Sequence, residues 1–361
     1  MTIFNPEHDL CIANGDANFV PPASALEFGK DCSGLVDWIV ETSDDEIVPW
    51  GWDAVLKRRL ERSGIAPEKL PPDQFVASVR ALSGRGIAFR VNADVHRLVC
   101  SAHPSMLHIL SEPDSVVELH DVEDVVRYVN LFGDAVMKAP LSGSGKGLRW
   151  GRAGELSQSD LGWCKNVITR QGSVMVEKRR EVVQDFAMLF HVGESSVEFE
   201  GYSMFFSDNG IYKGNILASD EWILAELSRY VPAALILNIK AALTKTIAGT
   251  FVGKYSGFLG VDMFIFREAG TFRLAHCVEI NVRMTMGLLA RRLYDNHLER
   301  LVGPGDLDGR YQMCVEFSPR RGDLFARRDE AVASLTDVTP DSRYAVWVRS
   351  YEILSWSNWQ S

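Results

Sequence analysis

The sequence predicts a mixed α/β fold with α+β subdomains. Two patterns support it: stretches of alternating apolar residues that are typical of strands, as in 185–192, and amphipathic stretches that are typical of helices, as in 120–130. The composition is that of an ordinary globular protein, with 46% hydrophobic and 24% charged residues. At roughly 150 residues per domain, 361 residues are enough for two or three domains.

The first predicted domain, residues 1–91, is an N-terminal α/β domain. It opens with a short apolar run, Thr2 to Phe4, and continues into a polar loop, Asn5 to Asp9. The spacing of apolar residues predicts helices over 52–63 and 75–82, and a short strand over 87–91.

The second predicted domain, residues 92–172, contains two helices, a strand that ends at Lys138, a glycine-rich loop and a return strand through Trp150. The third, residues 173–361, begins with a strand at 173–178. It continues with strands, a long helical stretch over 222–250, a β-hairpin centred near Gly270 and a tail with strand-like runs.

Charge and sequence pattern exclude several classes of protein. With 48 acidic and 38 basic residues the formal charge is −10, which argues against non-specific binding to nucleic acid. No stretch is long and apolar enough for a membrane span, and the start of the chain has no signal-peptide pattern. The six cysteines are scattered without metal-ligand spacing, so we expect reduced thiols in a cytoplasmic protein.

The glycine-rich loop predicts an anion site. Successive backbone amides at Gly143, Gly145 and Gly147 can surround a polyphosphate, with Lys138 and Lys146 supplying positive charge. The loop is not a P-loop, because Pro140 and Gly147 stand where that pattern needs glycine and Ser or Thr. It does not fit G-x-G-x-x-G either, and the alternative is a flexible hairpin loop.

The hairpin predicts a cation site. Glu279, Asn281 and Arg283 alternate along one strand and so share a face. A turn centred near Gly270 places Asp262 opposite Glu279, and opposed carboxylates repel unless a cation lies between them. Carboxylate and amide oxygens suit Mg²⁺. The alternative is a solvated strand face, which would not explain the neighbouring phenylalanines of that strand.

In this order the motifs resemble the ATP-grasp superfamily over residues 92–290. That family has a strand lysine, a mobile glycine-rich loop, a hinge that begins with Glu, an acidic residue on one later strand and Glu-x-Asn-x-Arg on the next. Here these are Lys138, Ser142 to Gly147, Glu177, Asp262 and the run Glu279 to Arg283. The implied fold is an N-terminal α/β domain followed by two subdomains that grip a nucleotide.

The resemblance implies a role for each motif residue. Phosphate contacts are implied for Lys138, Ser142, Gly143, Ser144, Gly145, Lys146, Gly147 and Lys213. Glu177 and Lys178 of the hinge would meet the adenine, and Asp185 the ribose. The implied magnesium ligands are Asp262, Glu279 and Asn281. Arg283 and Lys146 would act in catalysis, Arg283 by steadying an anionic intermediate.

The implied activity is that of an ATP-dependent ligase with ATP and Mg²⁺ as cofactors. A small-molecule carboxylate would become an acyl phosphate, which an amine or similar nucleophile would capture. Two alternatives stay open: a kinase that uses the same nucleotide site, and a non-catalytic nucleotide-binding module. The family also suggests a homodimer. The loop Asn5 to Asp9 and the residues after Arg283 match no substrate motif, so the substrate is not assigned.

Overall fold

The structure is a computed structural model that describes residues 1–42, 46–142, 147–208 and 211–351, with the side chains of residues 208 and 211 left aside. Four residues of the predicted glycine loop, 143–146, and the aromatic end of the tail therefore lie outside the described residues. Within the described ranges, no helix has both the length and the apolar character that a bilayer crossing requires.

The N-terminal part combines a two-stranded parallel sheet with five helices. Its elements are β1 (Thr2–Ile3), α1 (His8–Asn14), α2 (Ala23–Asp31), β2 (Val48–Pro49), α3 (Ala54–Arg62), α4 (Asp73–Leu82) and α5 (Arg85–Ala102). The two predicted helices are confirmed as α3 and α4. Asp53 begins α3 by accepting a hydrogen bond from the backbone N–H of Leu56.

The predicted strand at 87–91 is wrong, because these residues belong to α5. Helix α5 runs through the predicted boundary at residue 91 and buries Ala88, Val91, Val95 and Val99 on one face. Their spacing of three and four residues is helical. A short apolar run such as Ile87 to Val91 cannot be distinguished from part of a buried helix by its periodicity.

A small four-stranded antiparallel sheet follows, in the order β3-β6-β4-β5. Its elements are β3 (Val116–Leu119), α6 (Val122–Phe132), β4 (Asp134–Lys138), β5 (Leu148–Arg152), α7 (Gln158–Gln171) and β6 (Val174–Lys178). Helices α6 and α7 cover one face, where Val129, Met137 and Val176 are fully buried. Because strand side chains alternate, Lys138 and Glu177 lie on the other face.

The rest of the chain forms an eight-stranded sheet in the order β11-β10-β7-β8-β9-β12-β14-β13. Its elements are β7 (Glu181–Val192), β8 (Val197–Asp208), β9 (Ile211–Leu217), α8 (Asp220–Leu227), α9 (Ala233–Phe251), β10 (Gly257–Glu268), β11 (Thr271–Asn281), α10 (Met286–Asn296), α11 (Leu298–Val302), β12 (Tyr311–Phe317), α12 (Asp323–Ala326), β13 (Ala333–Ser334) and β14 (Tyr344–Ser350). The predicted hairpin is confirmed as β10 and β11, with Asp262 opposite Glu279.

Two hydrophobic cores cover the two faces of this large sheet. On one face α5, α8 and α9 pack against residues such as Val261 and Ile265. On the other face α10 packs together with N-terminal residues such as Phe4 and Leu35. The N-terminal part thus shares a core with the large sheet, and this contact brings its polar loop to the end of β11.

Helix α9 provides a matched test of this packing. Phe251 is fully buried in the core, whereas Leu237 on the same helix is 42% exposed. Phe251→Ala should lower the free energy of unfolding by about 3–5 kcal/mol because it removes a buried ring and leaves a cavity. Leu237→Ala should cost less than about 1 kcal/mol. Urea denaturation measures both; equal losses would contradict the assigned burial of α9.

Candidate functional site

A cleft lies between the two sheets. Its lining combines residues of α5, of the small sheet and of the β10–β11 hairpin, among them Arg85, Lys138, Glu177, Lys178, Phe264 and Cys277. The cleft therefore brings together the strand lysine, the start of the hinge and the hairpin, which are up to about 140 residues apart in sequence.

The three predicted magnesium ligands meet at the end of the hairpin. Asp262 and Glu279 are opposed residues of β10 and β11, and the amide of Asn281 donates a 2.9 Å hydrogen bond to Asp262 Oδ2. Burial, and then the negative charge of Glu279, raise the pKa of Asp262 to about 7. A divalent cation would relieve both effects, since it compensates the burial of the carboxylate and the repulsion between the pair.

This donor set fits Mg²⁺, which prefers oxygen ligands and keeps several waters. Two carboxylates and one amide supply those oxygens here. Across residues 1–42, 46–142, 147–208 and 211–351, no group of three or more His, Cys, Asp or Glu side chains is arranged to hold a metal ion. A cation bound by Asp262 and Glu279 would therefore need the amide oxygen of Asn281 and further oxygens such as those of a phosphate.

Arg85 is a site residue that the sequence reasoning missed. Its Nη1 lies 2.8 Å from Glu279 Oε2, while Nε donates to the carbonyl of Ala139 at 3.1 Å and Nη2 to Ser142 Oγ at 3.2 Å. Burial works most strongly against the charged guanidinium, but the charge and hydrogen bond of Glu279 together with the charges of Glu177 and Asp262 outweigh it and raise the pKa of Arg85. The buried guanidinium of Arg85 thus joins β11 to the entrance of the predicted glycine loop.

A sequence signal for Arg85 exists once α5 is recognised. Arg85 is the first residue of that helix, where the helix dipole disfavours a cation. A basic residue there indicates an anionic partner elsewhere in the molecule. The incorrect strand prediction at 87–91 hid this signal, because it placed no helix start at Arg85.

Arg283 holds the N-terminal loop against the hairpin. Its guanidinium donates to both carboxylate oxygens of Asp9, at 2.7 and 2.6 Å, and to Asn281 Oδ1 at 3.1 Å. Burial would raise the pKa of the Asp9 carboxyl, but the charge and hydrogen bonds of Arg283 lower it. The bidentate geometry is the strong form of this contact.

Of the predicted nucleotide residues on the small sheet, two pair with each other in the cleft and one pairs with the hairpin turn. Lys138 and Glu177 form an ion pair inside the cleft. Lys178 instead points to Glu268 at the turn end of the hairpin, 3.0 Å away. Burial would raise the pKa of Glu268, but hydrogen bonds from Lys178 and Arg273 and the charge of Arg180 lower it to about 2. Lys178 is therefore engaged outside the centre of the site.

Asp185 lies opposite Phe264 on the cleft-facing side of the large sheet, whereas Lys213 lies on β9 at the register shift between β8 and β9. Asp185 accepts a 2.8 Å hydrogen bond from Ser207, and burial raises the pKa of its carboxyl. Lys213 makes no ion pair with any residue that the structure describes.

The stem of the glycine loop is described at both ends. Gly147 accepts a hydrogen bond from the amide of Ala139 at 2.8 Å. A side chain at Gly147 would place its Cβ 2.2 Å from Cβ of Ser142, so only glycine fits there. The predicted contacts of Gly143, Ser144, Gly145 and Lys146 lie outside the described residues.

Comparison with known proteins gives a fold. No protein-family model and no curated sequence matches the chain. Among solved structures, it is similar to N5-carboxyaminoimidazole synthetase from Staphylococcus aureus complexed with ADP, at 12% identity and a TM-score of 0.50, covering 99% of this chain and 95% of that one. An ADP complex of N5-carboxyaminoimidazole ribonucleotide synthetase matches with the same identity and TM-score, over 99% and 94%.

The chain has the ATP-grasp fold. This confirms the fold class that the order of motifs implied.

The raised pKa of Asp262 predicts that, without a bound metal, the free energy of unfolding of this chain falls as the pH rises. A carboxyl whose pKa rises from 3.8 when unfolded to about 7 when folded keeps its proton longer in the native state. Stability contributed at this position is therefore present below about pH 4 and lost as the pH rises towards 7. Asp262→Asn should remove that loss.

In EDTA at pH 7, Asp262→Asn should raise the free energy of unfolding by about 1–2 kcal/mol, and at pH 4.5 by much less. Urea denaturation at both pH values measures the difference. Asp94→Asn, on the exposed side of α5, is the matched control and should change neither value. A variant that is less stable than the wild type at pH 7 would contradict the repulsion between Asp262 and Glu279.

Proposed function

We propose that this chain is an ATP-dependent ligase that phosphorylates a small-molecule carboxylate and transfers the acyl group to an amine. The observation that carries the proposal is the cluster of Asp262, Glu279 and Asn281, which Arg85 joins to the cleft that holds the Lys138–Glu177 pair. A set of acidic ligands beside two basic side chains, Lys138 and Arg85, suits a magnesium-bound polyphosphate.

The nucleotide would lie along the cleft from the hinge to the hairpin. Glu177, with Lys178 beyond it, would meet the adenine, and Asp185 and Lys213 would reach the ribose and phosphates. The phosphate cradle would be Lys138 with the loop residues Ser142, Gly143, Ser144, Gly145, Lys146 and Gly147. That two structures similar in fold are ADP complexes supports nucleotide binding by this chain, but it identifies neither the place of binding nor a substrate.

The remaining residues would neutralise the charge of the phosphates and position the reacting groups. Asp262, Glu279 and Asn281 would hold Mg²⁺, which supplies charge neutralisation during phosphoryl transfer. Arg85 would release Glu279 and donate to the terminal phosphate, because its guanidinium is fixed at the loop entrance. Arg283, held by Asp9, presents donors next to the metal strand for an anionic acyl phosphate. Lys146 would assist from the loop.

The reaction products distinguish this function from two others, a kinase and a non-catalytic module. A kinase with the same site would give ADP and a phosphorylated product, whereas a ligase gives ADP, phosphate and a joined product. A non-catalytic module would bind nucleotide without turnover. The proposed partners are small molecules; the homodimer is a separate prediction that sedimentation can test.

Nucleotide binding is the first test. A non-hydrolysable ATP analogue at about 100 times its Kd should add roughly 2.7 kcal/mol of apparent stability. The shift in melting temperature should require Mg²⁺ and should vanish in Glu279→Gln. The matched control is Glu181→Gln, an exposed glutamate of β7 that should keep the full shift. A shift that survives without Mg²⁺ and in Glu279→Gln would overturn the metal assignment.

Arg85 has a test of its own. Arg85→Met should weaken binding of the Mg²⁺–ATP analogue about tenfold or more, as expected when a hydrogen bond to a charged group worth about 1.5–3 kcal/mol is lost. Arg97→Met, on the exposed side of the same helix, should bind like the wild type. Isothermal titration calorimetry measures both, and unchanged affinity in Arg85→Met would make Arg85 a structural residue only.

A further inference from the structure

A buried polar cluster in the N-terminal part has no role in the proposed nucleotide site. It consists of Asn5, Glu7, His8 and Asp53, which are between 1% and 6% exposed. Side chains of these types are seldom so buried, and burying them is costly unless their hydrogen bonds are satisfied. The cluster joins the loop after β1 to the loop after β2.

Asp53 fixes the cluster from several sides. Its Oδ1 accepts from the backbone N–H of Leu56 at 2.9 Å, and its Oδ2 accepts from the amide of Asn5 at 3.2 Å. The same Oδ2 lies 3.3 Å from Nδ1 of His8. A carboxylate only accepts hydrogen bonds, so Nδ1 of His8 carries a proton in this contact.

The other ring nitrogen of His8, Nε2, has no hydrogen-bond partner among the described residues. With Nδ1 protonated, Nε2 of the neutral ring has a lone pair. The ring is also held in place by Gly51, where an added Cβ would lie 2.8 Å from Nδ1 and Cε1 of His8. The backbone at Gly51 can approach the ring this closely only because it has no side chain.

The cluster borders the end of the metal strand. Asp9, the residue after His8, is the carboxylate that Arg283 binds. On the other side, the backbone N–H of Met284 donates to the carbonyl of Trp50 at 2.9 Å. Both loops of the cluster therefore contact the residues that follow Asn281.

The charges around His8 favour a cationic ligand over an anion. Glu7 lies 3.6 Å from Arg59 and Asp9 is paired with Arg283, whereas Asp53 has no Lys or Arg partner in the described part of the chain. The nearby thiol of Cys11 stays neutral, because burial and the charge of Asp53 raise its pKa. An incoming ammonium group would thus find one uncompensated carboxylate and one free imidazole nitrogen.

We propose that Nε2 of His8 takes a proton from the amine substrate and that Asp53 is the positioning residue that fixes the ring. The inference rests on the proposed ligase function and names the amine site. The ammonium gives one proton to Nε2, and Asp53 stabilises the resulting imidazolium. The neutral amine then attacks the acyl carbon, the bond from carbon to the phosphate oxygen breaks, phosphate leaves with a second amine proton, and His8 returns its proton to solvent.

Hydroxylamine separates this role from a structural one. It is neutral at pH 7 and attacks acyl phosphates without a base, whereas ordinary amines are protonated. The test uses a pool of the twenty proteinogenic amino acids with lactate, malate and citrate as carboxylates, and Mg²⁺–ATP. Hydroxamate formation is measured with hydroxylamine, and phosphate release is measured with the pool's own amines and ammonium chloride.

His8→Gln should lower amine-dependent phosphate release about 100-fold, the size of a general-base contribution. Its hydroxamate yield should stay within about threefold of the wild type, since binding of nucleotide and acyl phosphate formation do not use His8. Asp53→Asn should show the same split. His108→Gln, an exposed histidine without described side-chain contacts, is the matched control and should change neither rate.

The outcomes are distinct. Equal loss of both rates in His8→Gln, or no loss of either, would overturn the role of His8 and leave the ligase proposal standing. A wild-type chain that shows no Mg²⁺-dependent melting shift with the ATP analogue would overturn the ligase proposal, and the inference with it. A melting shift with the Mg²⁺–ATP analogue in His8→Gln shows that the variant is folded.

Discussion

The repulsion between two opposed carboxylates is the constraint on which this molecule depends. Asp262 and Glu279 face each other across β10 and β11, within a sheet whose other face is a hydrophobic core. Without a metal, the surrounding residues compensate: Arg85 pairs with Glu279, the amide of Asn281 binds Asp262, and Arg283 binds Asn281. The contact of Arg85 also draws the start of α5 towards the hairpin.

These segments are distant in sequence, and polar contacts position them. Arg85 comes from the start of α5 and also holds the entrance of the glycine loop. Arg283 brings in Asp9 and, with it, the buried cluster around His8. Hydrophobic packing supplies the general arrangement, since N-terminal residues share a core with α10. The ion pairs then set which side chains meet.

The pairing of Asp262 with Glu279 was predicted from a turn centred near Gly270 and Thr271, but in the structure an earlier turn and a register shift produce it together. Glu268 pairs with Thr271, so the loop is the two residues Ala269 and Gly270, and both have positive φ as such tight turns require. Counting outward from this turn would place Asp262 opposite Cys277, and the register shift between Asp262 and Phe264 moves it opposite Glu279. The strand periodicity then fixes which side chains share the face.

Arg85 and the cluster around His8 could not be predicted in the same way. Their partners lie 45 to about 275 residues away, so no local pattern records the contact. The polar loop at Asn5 to Asp9 was visible as an unusual stretch, but its burial follows from tertiary packing. The predicted domain boundaries remain predictions, and α5 runs through one of them.

If Glu279 is a metal ligand as proposed, the position of Arg85 couples metal binding to the loop entrance at Ala139 and Ser142. A cation that binds Glu279 competes with the guanidinium, and a freed guanidinium changes its bonds to Ala139 and Ser142 at the loop entrance. Coupling of this kind is reciprocal: whatever factor the metal exerts on the loop, the loop exerts on the affinity for the metal. The metal site and the loop entrance would then each be completed only when the other is, so that a wrong ligand alone would complete neither.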